Sequence, residues 1–73
     1  MPKLTELIYF LASLYNTPDE IRSVLRLAGL GTYLPFIPFH FKATVFWTNI
    51  IFFLADKNGA LDKLILGVLN DGN

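Results

Sequence analysis

Helix-breaking residues fall at intervals that no long element can cross. Pro18, Pro35 and Pro38 lack the amide hydrogen that a helix interior needs, and Gly29 and Gly59 readily take the left-handed backbone that stops a helix. Between them lie short segments with helical spacing, and no strand-like alternation of useful length. This pattern dictates an all-α chain, a compact bundle of five to six short helices. The 73 residues are too few for more than one domain, so residues 1–73 are expected to form one, with loose ends at 1–3 and 70–73.

The periodicity predicts a first helix from about Leu4 to Tyr15, with Leu4, Leu7, Ile8, Leu11, Leu14 and Tyr15 on one stripe and Tyr9 and Phe10 off it. Thr17 suits an N-cap, Pro18 the first helical position, and Glu20 completes a capping box. That second helix buries Ile21, Val24, Leu25 and Ala28 and stops at Gly29, with Arg22 and Arg26 on its outer face. A short helical turn is expected near Leu30–Leu34. An extended crossover follows, because a residue before proline is pushed out of helical conformation, and Ile37 and Phe39 can both plug the core. The next helix runs from about Lys42 to Lys57. Its inner face is Ala43, Phe46, Trp47, Ile50, Ile51 and Leu54; Val45, Asn49, Phe52 and Asp56 lie opposite, with Phe53 at the edge. A last helix, about Ala60 to Leu69, turns Leu61, Leu64, Ile65 and Val68 inwards and Leu66 outwards.

This bundle cannot hide all its apolar material. Hydrophobic residues make up 53% of the chain and charged residues only 16%, against roughly 45–50% and 25% in ordinary domains. A chain this short buries only about 60% of the surface its unfolded form exposes. All the phenylalanines but Phe10, with the one tryptophan, lie between Phe36 and Phe53. The surplus must face lipid, a partner or copies of the same chain. A spanning helix is not expected: the uncharged run Ala43 to Ala55 reaches only about 20 Å as a helix, against ~30 Å of hydrocarbon. Glu6 and the absence of a small-residue cleavage site argue against a signal peptide.

Net charge is zero, which gives no sign of a nucleic-acid binder. The charges are unevenly placed. Between Glu20 and Asp56 there is no acid, while Arg22, Arg26, His40 and Lys42 lie there. Such a basic middle and acidic ends can attract each other between molecules. Catalytic chemistry finds little support. His40 is the one histidine, there is no cysteine, and nothing positions Ser13 or Ser23 as a nucleophile beside it. A metal site would need more ligands than one histidine and dispersed carboxylates. Gly29-x-Gly31 closes a helix and lacks the following lysine of a phosphate loop. No catalytic, metal or cofactor site is expected, and His40 reads as a loop residue beside Phe39 and Phe41.

Four features taken in order resemble the bacterial effector-associated domains. They are Leu14-Tyr15 closing the first helix; "IRSVLRLAGL" from Ile21 to Leu30; Ile37-x-Phe39 with Trp47 eight residues on, then Ile50 and Ile51; and Gly59-x-Leu61-Asp62-x-Leu64. The resemblance covers nearly the whole chain. It implies a death-domain-like, non-enzymatic, cytoplasmic adaptor of bacterial conflict and defence signalling. Such a domain recruits like domains as a homo-oligomer or filament and clusters an effector carried in cis or in trans. The chain departs from the family pattern in its surface. Phe41, Val45 and Phe46 stand where polar residues are usual, Phe52 and Phe53 replace acids, and Asn70 and Asp71 stand where an aromatic-proline pair is usual.

The residues expected at a self-association interface are Tyr9, Phe10, Val45, Phe52, Phe53 and Leu66. Arg22 and Arg26 are candidates to face Asp56 or Asp62 of a neighbour. The bland alternative puts the arginines on a solvated helix face and covers the apolar set within one bundle. A different class of reading is a small membrane-surface protein, its acid-free aromatic middle lying at the interface with Arg22, Arg26 and Lys42 near anionic lipid.

Overall fold

A computed structural model describes residues 4–71; positions 1–3, expected as a loose end, and the last two of the expected loose tail lie outside it. Four α-helices and one 3-10 helix follow in order: α1 (Leu4–Leu14), α2 (Pro18–Leu27), the 3-10 helix (Gly31–Phe36), α3 (Ala43–Ala55) and α4 (Ala60–Asn70). No strand occurs among the described residues. The all-α bundle expected from the spacing of the breakers is what forms.

Local chemistry sets each boundary. The Thr17 hydroxyl accepts a hydrogen bond from the Glu20 amide at 3.3 Å, and the Glu20 carboxylate accepts one from the Asn16 amide at 3.3 Å. The capping box therefore closes one residue further back than its usual form, in which the acid reaches the cap's own amide. At the other end of α2, Gly29 takes φ +80°, the Leu30 amide donates to Leu25 O at 2.8 Å and the Gly29 amide to Arg26 O at 3.0 Å. This is the paired bonding that satisfies a helix's last carbonyls, with Leu25 and Leu30 both buried beneath it. Pro35 lies inside the 3-10 helix rather than ending it, so the turn expected near Leu30–Leu34 runs on to Phe36 before the extended crossover. Ile37 is extended, as expected.

The core lies on the predicted face of α3. Phe46, Trp47, Ile50, Ile51 and Leu54 are buried there, with Leu11 from α1, Ile21, Val24 and Leu25 from α2, Leu30, and Leu64 from α4. Among the described residues no polar or charged residue is buried, and no buried side-chain nitrogen or oxygen lacks a partner. The indole N–H of Trp47 donates to Tyr15 O at 3.0 Å, so even the largest core side chain is satisfied. Tyr15 packs beside that indole, ring centroids 6.2 Å apart, and its hydroxyl donates to the Asp71 carboxylate at 2.7 Å. Burial, reinforced by this hydrogen bond and the Asp71 charge, pushes the Tyr15 phenol up to about 12. Asn70, placed in a loose tail by its composition, is the last residue of α4.

Several positions depart from the expected stripes. Leu4 and Leu14 are exposed, whereas Ala12 is buried, so α1 is rotated about its axis relative to its apolar periodicity. Ile65 is exposed, and Phe39 lies on the surface with its ring edge-on to Phe46 at 5.3 Å instead of plugging the core. The reason in α4 is Gly67. It is buried against Ala28, and a Cβ placed on it would come within 2.5 Å of Ala28 Cβ and 2.9 Å of Ala28 Cα. The two helix backbones touch at these small residues, which turns α4 so that Ile65 swings outwards. Gly67→Ala gains about 1 kcal/mol of helix propensity but forces α2 and α4 apart, an overpacking cost of about 1–3 kcal/mol. A net loss of about 1 kcal/mol is expected in urea unfolding, with helicity unchanged.

Candidate interaction surface

Helix α1 packs on α3, and the seam between them opens outwards as a groove of about 270 Å³. Thr5, Ile8 and Tyr9 form one wall; Thr44, Val45, Thr48 and Phe52 form the other. The Thr48 hydroxyl donates to Thr44 O of its own helix at 2.7 Å. The groove mixes the apolar Ile8, Val45 and Phe52 with the hydroxyl-bearing Thr5, Tyr9, Thr44 and Thr48. Tyr9 is 63% exposed and Phe52 59%, and Val45 is half-buried between them and the core. Phe10 neighbours Tyr9 on the outward side of α1 and is 55% exposed.

The structure thus brings Tyr9, Val45 and Phe52 to one groove, while Phe10, exposed on α1, does not line it. It does not bring the rest there. Phe53 lies under the Tyr33 ring, edge to face at 5.7 Å, and under the Lys57 ammonium at 4.7 Å. Leu66 is exposed on α4. Asp56 and Asp62 line a separate hollow of about 430 Å³ where α3 turns into α4. Arg22 is drawn in two directions, its guanidinium 5.2 Å from the Phe39 ring centre and 3.6 Å from the Asp19 carboxylate. Arg26 is exposed one turn further on.

Of the large apolar residues outside the expected set, Phe41 and Phe36 are the most exposed, at 78% and 70%. The available signal was composition: Phe41 stands between His40 and Lys42, and a segment that polar cannot turn inwards without burying charge. The His40 ring stacks on Phe41 with centroids 4.8 Å apart, and its Nδ1 accepts a hydrogen bond from the Lys42 amide at 3.0 Å. This histidine is a local clamp, with no acid or nucleophile contacting it among the contacts above. No group of three or more His, Asp or Glu residues that could hold a metal occurs among the described residues.

The family model for Effector-associated domain 1 matches residues 2–73. The chain belongs to this family. The match spans both the capped α2 and the aromatic α3, so the resemblance drawn from Ile21–Leu30 and from Trp47 holds for the whole bundle. No curated protein and no solved structure matches the chain. An effector-associated domain is one found in association with effector domains, and that is the functional setting its family gives. No helix among the described residues is long and apolar enough to cross a membrane.

Proposed function

We propose that this effector-associated domain is a non-enzymatic cytoplasmic adaptor that binds copies of itself through the α1–α3 face and thereby clusters an effector. The observation that carries the reading is the exposure of Tyr9 and Phe52 together at one groove, on a bundle whose core is otherwise complete. Large apolar groups gathered on one face mark an interaction site. Fully burying one such side chain contributes roughly 1.5–3 kcal/mol, and each contact would cover several. Clustering acts by raising the effective concentration of whatever is attached, with no new chemistry in the adaptor. In this reading the domain serves conflict or defence signalling, its fold is the death-like variant of the helical bundle, and an open-ended contact would yield filaments.

Light scattering over a concentration series tests this. The mass-average size of the purified chain is expected to rise with concentration, and electron microscopy of the largest species separates filaments from closed oligomers. A chain that stays monomeric throughout would overturn the reading.

A further inference from the structure

The end charges of α3 oppose what its own stability asks for. A helix is stabilised by anions at its start and cations at its end, because its peptide dipoles align. Helix α2 follows that rule, with Asp19 and Glu20 in its first turn and Arg26 in its last. Helix α3 inverts it. Lys42 occupies its N-cap with no acid in the first turn, and Asp56 its C-cap with no base in the last. Lys57 follows Asp56, but its ammonium is drawn back over Phe53. The side-chain charges therefore add to the helix field. Thirteen residues long, α3 separates them by about 20 Å, in a molecule measuring 25 × 25 × 22 Å. The two charged ends lie towards opposite poles.

Each end is also a shaped surface. At the positive pole Phe41 is 78% exposed, held by the His40 stack, with Lys42 beside it and Arg22 over the neighbouring Phe39. Arg22 also pairs with Asp19, at 3.6 Å. At the negative pole the α3–α4 hollow carries the exposed carboxylates of Asp56 and Asp62 around the half-buried Leu61; Lys57 also lines it, its ammonium 4.7 Å from the Phe53 ring centre, so the two acids outnumber the one base there.

We propose that these poles bind each other between copies: the Phe41–Lys42 corner of one chain seats in the α3–α4 hollow of the next, with Lys42 facing Asp56 and Asp62. The occupant is a second copy because one chain carries both complementary charges, on ends too far apart to meet within it. The contact is heterologous and leaves one pole free on every added copy, so it can repeat. This rests on the self-association reading and adds to it a direction and a face distinct from the α1–α3 groove.

Charge exchange tests it. Lys42→Glu and Asp56→Lys each give α3 the end charge its dipole favours, so both variants should keep the parent's circular dichroism and melting behaviour. Each alone is expected to weaken assembly about tenfold or more, read by sedimentation velocity. Mixed in equal amounts, the introduced carboxylate meets the introduced ammonium, and assembly returns towards the parent's. Should either variant lose helicity, Arg22→Glu and Asp62→Lys take their places. Two variants that each assemble like the parent overturn the polar contact and leave the proposed function standing. Loss in both without recovery on mixing overturns the pairing. A monomeric parent overturns this contact and the proposed function together. A parent that is monomeric in solution yet sediments with phosphatidylserine vesicles, and loses them on Lys42→Glu, assigns the corner to lipid instead.

Discussion

Trp47→Ala is expected to leave the chain without a stable fold at physiological temperature. The indole is wholly buried, packs beside Tyr15 and donates to the Tyr15 carbonyl. Truncating a buried tryptophan typically costs about 3–5 kcal/mol. The Tyr15 carbonyl would also lose its donor, at a further cost of about 1–3 kcal/mol if water cannot replace it. A domain of this length has roughly 4–11 kcal/mol in all, at ~0.05–0.15 kcal/mol per residue. The two losses together approach that total. Thermal melts followed by circular dichroism should show a cooperative transition in the parent and only a shallow slope in the variant. Trp47→Phe, which keeps most of the ring and loses the hydrogen bond, should fall between them. A Trp47→Ala variant melting like the parent would mean that the indole is not the centre of the core.

Phe52→Glu is expected to do the reverse: to spare the fold and remove assembly. Its ring is more than half exposed on the α1–α3 groove, so an isolated bundle loses little by the change. In an assembled copy the carboxylate would be placed against apolar surface, where an unpaired charge is costly. The lost burial alone, taken as half of a phenylalanine's roughly 1.5–3 kcal/mol, corresponds to about a three- to tenfold weaker contact. The carboxylate's desolvation adds to this, so a weakening of about a hundredfold is expected. Sedimentation velocity at matched concentration reads the assembly, and far-ultraviolet circular dichroism the fold. Phe10→Glu, exposed on α1 outside the groove's lining, should weaken assembly less.

Much of this bundle is legible residue by residue, because its boundaries rest on local chemistry. Thr17, Pro18 and Glu20 announce the start of α2, and Gly29 its end, without reference to the rest of the chain. The inner face of α3 is equally plain, since Phe46, Trp47, Ile50, Ile51 and Leu54 repeat with helical spacing around the whole core. Where an element touches the core along one edge only, periodicity fails. In α1 the apolar residues outnumber the buried positions, so Leu4 and Leu14 look like core and lie in solvent. In α4 the rotation is decided by Gly67 meeting Ala28, a contact between small residues thirty-nine positions apart that leaves no apolar signature. The groove was partly legible for a related reason. Tyr9 and Phe52 each fall off their own helix's stripe, but that they share one groove depends on how α1 crosses α3. Phe53 shows the limit. Spacing puts it at the edge of the α3 core face, and the Tyr33 ring on the 3-10 helix and the Lys57 ammonium cover it.

The outward set of apolar side chains is held to meet a sister molecule, and photocrosslinking from position 52 measures that contact directly. With a photoreactive phenylalanine analogue in place of Phe52, illumination at assembling concentrations should give covalent dimers whose crosslinks map between two chains. The same analogue at the buried Phe46 should give none. Products confined to single chains at position 52, at a concentration where the parent is assembled, would contradict the claim that a second copy covers this face.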